Sequence, residues 1–197
     1  MRILHFLNTR TYSVKSLSYL FLLSHVILVL MMTFTFPIIN NQIGSNAFDL
    51  RPFGYSVSEA RSIVNNLNEP TTSLYLFPQL SLLDLLYPFL LALFLSSFLF
   101  RLIKITETKN RVNSILLMVP FLAMIFDYLE NICIIFMITK SVEVSEYFVL
   151  LSSIFTLLKG VLTSFAWTSI LFYSIRWFRM KKRKEIKTTT NRVDGSN

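Results

Sequence analysis

Four stretches of this chain, near residues 16–37, 80–102, 113–138 and 147–177, stay apolar over the length that a lipid bilayer demands. A hydrocarbon core of about 30 Å takes roughly 20 residues of helix, at about 1.5 Å per residue. The runs are unbroken, whereas a membrane barrel would alternate apolar and polar residues with a period of two. The pattern predicts an all-α fold, a membrane bundle of four transmembrane helices. Composition agrees: 53% of the 197 residues are hydrophobic, with nineteen phenylalanines against four glycines. That balance is too apolar for a soluble domain of this size.

The lead "MRILHFLNTRTYSVK" is basic, as a secretory signal is, but the apolar run reaches Pro37 without an A-x-A-like cleavage site. An uncleaved first span is therefore expected. The single cysteine, Cys133, allows no intrachain disulfide and no Cys-x-x-Cys site, and reads as a small apolar filler.

Charge sets the expected orientation, because Lys and Arg of short loops collect on the cytoplasmic side. Arg2, Arg10 and Lys15 precede the first span, and Arg101, Lys104, Lys109 and Arg111 lie between the second and third. Arg176, Arg179, Lys181, Lys182, Arg183, Lys184, Lys187 and Arg192 follow the fourth. The alternate loops, 38–79 and 139–146, hold only Arg51, Arg61 and Lys140 beside several carboxylates. A multi-pass cell-membrane protein with both termini cytoplasmic follows. The net charge of +8 is then a matter of topology, and no nucleic-acid partner is expected. "RWFRMKKRKEIK" suits the anionic inner leaflet, each basic residue gaining about 1 kcal/mol near it. Residues 1–178 form one domain by this reading, and 179–197 a basic, disordered tail.

The outer loop 38–79 is too long for a turn. Within it "GYSVSEARSIVNNLNEP" predicts a short extracytoplasmic amphipathic helix over about 57–68. Ser56 and Glu59 make a capping box, Val57, Ala60, Ile63, Val64 and Leu67 one apolar face, and Pro70 a stop. It would lie along the outer interface or cap the bundle.

Ionisable residues inside the spans mark the candidate site, since they are rare there and face the bundle or a wet cavity. In "FDYLEN", Asp127, Glu130 and Asn131 stand at i, i+3 and i+4, on one side of the third span. Asp84, Tyr87 and Pro88 share a face of the second. Lys159 lies in a stripe of the fourth with Ser152, Thr156, Gly160, Thr163 and Trp167. His25 falls near the middle of the first. Lys159 paired with Asp127 or Glu130 is the least costly charged state, and a carboxyl left over is cheapest protonated. The opposing reading is that these residues only join helices.

No G-x-S-x-G, H-E-x-x-H or P-loop pattern occurs, which leaves enzymatic activity undecided. His25, Asp84, Asp127 and Glu130 are metal-ligating types, but their spacing demands no metal, and no cofactor is expected.

The set "GYSVSEA", "LDLLYP" and "FDYLEN" resembles an uncharacterised family of bacterial four-span integral membrane proteins. The shared pattern is GYS-x-x-EA, LDLLYP and FD-x-x-EN, over roughly residues 50–138. The resemblance implies the same fold in a bacterial inner membrane. It bears on Asp84, Tyr87, Pro88, Asp127, Glu130 and Asn131, and implies no activity.

The leading expectation is a carboxylate-rich polar site in the outer half of the bundle that binds a small polar or amphiphilic molecule, a proton or a cation. Asp127 and Glu130 would be the acceptors or ligands, Asp84 and Tyr87 would stand opposite, and Lys159 would be the counter-ion. Transport by so small a bundle would imply a homo-oligomer. The alternatives are an assembly subunit with a membrane-protein partner and structural polar residues, and, third, a lipid-modifying enzyme.

Overall fold

The computed structural model describes residues 9–107 and 111–194. Arg2 and Lys109 of the charge argument, and the last three residues of the tail, lie outside them. Among the described residues the secondary structure is helical, with no strand. Four helices are long and apolar enough to cross a membrane: α1 (Val14–Ile43), α3 (Glu69–Ile105), α4 (Asn113–Ile138) and the apolar part of α5 (Glu146–Arg183). The shorter α2 (Val57–Asn66) stands in the connection between α1 and α3.

Local chemistry explains the boundaries. α1 starts where the Ser13 hydroxyl accepts the Ser16 N–H at 3.1 Å. It widens to a π-helical turn over Met31–Thr35, just before Pro37, whose ring supplies no N–H to the ladder. It runs on to Ile43 and stops at Gly44, whose φ of 69° is the left-handed conformation of a helix end. α2 carries the capping box: the Glu59 N–H meets Ser56 Oγ at 3.3 Å, and Glu59 Oε2 takes the Ser56 N–H at 2.7 Å. Ala60, Ile63 and Val64 are its buried side.

The largest departure from expectation is at α3. Its helix begins at Glu69, not near residue 80, because Asn68 caps the Thr71 N–H at 2.9 Å and Pro70 occupies the first turn. Pro70 opens a helix as well as closing one, since its missing N–H costs nothing there. The backbone leaves helical geometry at Phe77, before the cis peptide to Pro78, and resumes as Asp84–Ile105. α5 also runs on, its backbone helical to Asp194, where composition led us to expect a disordered tail from 179. Its Lys, Arg and Glu residues are good helix formers, and no glycine or proline interrupts them before Gly195.

Two apolar clusters hold the helices together. One joins Ile39, Phe48, Tyr55, Ile63, Tyr75, Ile134 and Met137, with α2 and the segment 44–56 packed over that end of the bundle. The other joins Leu17, Leu95, Leu99, Ala166 and Ile170 at the opposite end. Along the helix axes the polar residues of α3, α4 and α5 lie between the two. The outward faces stay apolar, with Leu22, Phe89, Ile125, Val161 and Phe172 exposed.

Candidate functional site

"FDYLEN" sits mid-way along α4, so its i, i+3, i+4 spacing turns Asp127, Glu130 and Asn131 toward α3 and α5. The Lys159 ammonium from α5 meets both carboxylates, at 2.5 Å from Asp127 Oδ1 and 2.6 Å from Glu130 Oε2. The sequence pointed to one partner; the structure gives the lysine two. Glu130 is fully buried. Its other oxygen, Oε1, accepts the Thr156 hydroxyl at 2.7 Å. A buried ion pair is tolerable only with such added donors, because both charges forgo water.

From Thr156 the polar groups continue outward from the ion pair. Ser152, one turn earlier on α5, accepts the Tyr55 hydroxyl at 2.6 Å, and Ser153 Oγ bonds the Tyr55 N–H and carbonyl at 3.2 Å each. This contact requires Gly54. Its φ is +81°, and a Cβ there would stand 2.8 Å from that of Ser153. Burial pushes the Tyr55 phenol well above its usual range, so it stays a neutral donor.

On α3, Asp84 is buried and Asn131 Nδ2 donates to its backbone carbonyl at a long 3.5 Å. Tyr128 donates to the Leu85 carbonyl at 2.7 Å, a second tie between α3 and α4. Tyr87 turns toward a cleft of about 320 Å³ between α3, α4 and α5. Asp127 and Lys159 form the charged head of this cleft, and Leu91, Leu95, Ala123 and Met124 line it further along, beside the hydroxyls of Thr163 and Ser164. The Asp127 and Lys159 side chains, both of which line it, are 13% and 21% exposed.

The structure thus brings together Asp84, Tyr87, Asp127, Glu130, Asn131 and Lys159, and leaves His25 apart. The imidazole Nδ1 contacts the Phe21 carbonyl of its own helix at 2.8 Å, and the ring lies 3.9 Å from that of Phe21. His25 borders instead a surface groove formed by α1 alone. Among the described residues no group of three or more His, Cys, Asp or Glu side chains is placed to hold a metal ion.

One acidic residue was missed. Asp49, from a single helical turn at Phe48–Leu50, accepts the Tyr75 hydroxyl at 2.5 Å and lies beside the Asp84 carboxyl. Nothing in its local sequence separates it from a solvated loop aspartate. Only the route of the segment, bounded by Gly44 at one end and the Ser56–Glu59 cap at the other, brings it over the bundle. No protein-family model, curated protein or solved structure matches the chain.

Proposed function

We propose that this is an integral membrane protein whose α3–α4–α5 cleft takes a small polar or amphiphilic molecule at Asp127 and Lys159. The observation that carries the reading is the Lys159 ion-pair cluster at the head of that cleft, with its charged groups still partly reachable. A polar head with an apolar extension suits an amphiphile, whose head group would meet Tyr87, Asp127 and Lys159 while its chain lies along Leu91 and Leu95. A proton or cation handled by the same carboxylates is the smaller version of this ligand. The Lys and Arg bias supports cytoplasmic chain ends, with α2 over the outer end and the basic stretch after α5 at the anionic inner leaflet. The GYS-x-x-EA, LDLLYP and FD-x-x-EN pattern supports a bacterial inner membrane.

The test is native mass spectrometry of the detergent-solubilised protein, run with melting curves. Asp127→Asn removes a charge from the head, and Gly160→Leu fills the cleft from α5, where a Cβ meets nothing within 4 Å. The proposal expects a retained amphiphile in the wild type, lost in both variants, with melting temperatures little changed. No retained species, together with an early-melting Asp127→Asn, would show that the cluster only joins helices.

A second reading, an assembly subunit, is favoured by α5 alone. Only 17% of its apolar window is buried, against 33–44% for the other three helices. That face, with Leu157, Val161 and Phe165 exposed, suits another membrane helix, from a second copy or a different protein. Cross-linking from Val161→Cys in membranes would capture such a neighbour.

A further inference from the structure

Beside the Lys159 cluster lies a second acidic contact with no cation of its own. Asp49 and Asp84 come from separate parts of the chain, the segment 44–56 and α3, and their carboxyl groups are within hydrogen-bond reach of each other. Asp49 Oδ2 is occupied by the Tyr75 hydroxyl at 2.5 Å, and Tyr75 in turn receives the Phe48 N–H at 3.1 Å. Asp49 Oδ1 and Asp84 Oδ2 are buried, and neither meets a donor among the described residues. Asp84 as a whole is 5% exposed.

The nearby cations act on the pair only from a distance, because their direct contacts go to other carboxylates. Lys159 on α5 is engaged at 2.5 and 2.6 Å with Asp127 and Glu130 of α4. Arg51, two residues from Asp49, turns away to Glu59 at 2.5 Å. The remaining titratable groups around the pair are acids or phenols: Tyr75 and Tyr87 on α3, Tyr55 on the same segment as Asp49, and Asp127, Tyr128 and Glu130 on α4. Two carboxylates in contact repel, and leaving their oxygens without donors forfeits the hydrogen bonds that burial requires. One proton between them resolves both problems, since it makes one group a donor and leaves the other an acceptor.

We propose that Asp49 and Asp84 form a proton-binding site in which two carboxyl groups share one proton and so fasten the segment 44–56 to α3. Loss of that proton to solvent leaves two like charges in contact and releases the segment. Because Tyr55 and Gly54 of the same segment reach α5 beside the ion-pair cluster, the proton holds the cover of the polar core in place. The site stands whether or not the cleft takes an amphiphile.

The experiment is infrared spectroscopy of the purified full-length protein at pH 7, in water and in deuterium oxide. The expected result is the carbonyl stretch of a protonated carboxyl that disappears in Asp49→Asn and in Asp84→Asn alike. It should persist in Asp127→Asn and Glu130→Gln, which separates this site from the Lys159 cluster. A wild type without such a band, or a band that survives both pair variants, overturns the proposal. So does a band that vanishes when sodium or lithium chloride is added at constant pH, which would mean that a metal cation occupies the pair. Hydrogen exchange of segment 44–56 in the wild type keeps the test open if the variants fail to fold. Protection should fall on raising pH by more than the intrinsic exchange rate accounts for, and a corrected profile that stays flat also overturns the proposal.

Discussion

The Lys159 ammonium serves two carboxylates, so losing the cation strands more charge than losing either acid. Removing the cation leaves Glu130, fully buried, with the Thr156 hydroxyl as its one donor, and breaking a buried pair in this way costs about 3–5 kcal/mol. Lys159→Met should therefore melt early, and the triple variant with Asp127→Asn and Glu130→Gln should recover most of the loss, because it strands no charge. Thermal unfolding of the single and triple variants in detergent checks this. If the triple variant melts as early as the single one, packing of the lysine stem, not charge balance, is what matters. Asp127, Glu130 and Lys159 were legible in the sequence because an ionisable residue inside an apolar run has few places to go. The same logic misplaced His25, whose ring satisfies itself against the Phe21 carbonyl and needs no bundle interior. It also passed over Asp49, since a loop aspartate is ordinarily solvated and only the path of segment 44–56 brings it to Asp84.

At the scale of elements, α2 was readable to within two residues because its start signal is local: Ser56 and Glu59 satisfy each other's backbone hydrogens. Ser56→Ala should cost about 1 kcal/mol of local stability. Glu59 adds a pH dependence of known sign. The Ser56 backbone N–H, and then its hydroxyl, hold the Glu59 carboxyl below its ordinary range. A depressed folded-state value means that its stabilisation is complete above the unfolded-state value and is lost as pH falls through the folded one. Amide protection across α2, corrected for intrinsic exchange, should fall on acidification in the wild type and stay level in Glu59→Gln. The start of α3 was less readable. "NEPTTSLYLFPQLS" carries two prolines and several polar residues, which suggest a linker, while Asn68 and Pro70 in fact form a helix start that depends on where the preceding helix stops. Gly54→Ala belongs at this scale as well. Both its φ of +81° and the 2.8 Å approach to Ser153 oppose a Cβ, so the variant should loosen the contact of segment 44–56 with α5, seen as faster exchange of the Tyr55 amide.

For the whole molecule, four helices long and apolar enough to cross a membrane and the charge bias act together. An even number of spans puts the two chain ends on one side, so a single asymmetry decides every loop. The last turn of α3 with Lys104 and the α3–α4 connection with Glu107 would then face the cytoplasm, and the α1–α3 connection with α2 would face out, as would the α4–α5 loop. In a Cys133→Ser background, cysteines placed at Asn46 and at Ser141 should react with a membrane-impermeant maleimide in intact cells. Glu107→Cys should react only after lysis. All three positions are exposed, so silence at one of them reports sidedness and not burial. The reverse pattern would invert the molecule and put the Asp49–Asp84 contact near the cytoplasmic face. Labelling of all three from outside would mean that neither α3 nor α4 crosses, whatever their length and hydropathy. The outcome also decides which compartment's pH the shared proton answers to, because segment 44–56 covers the polar core from one end only.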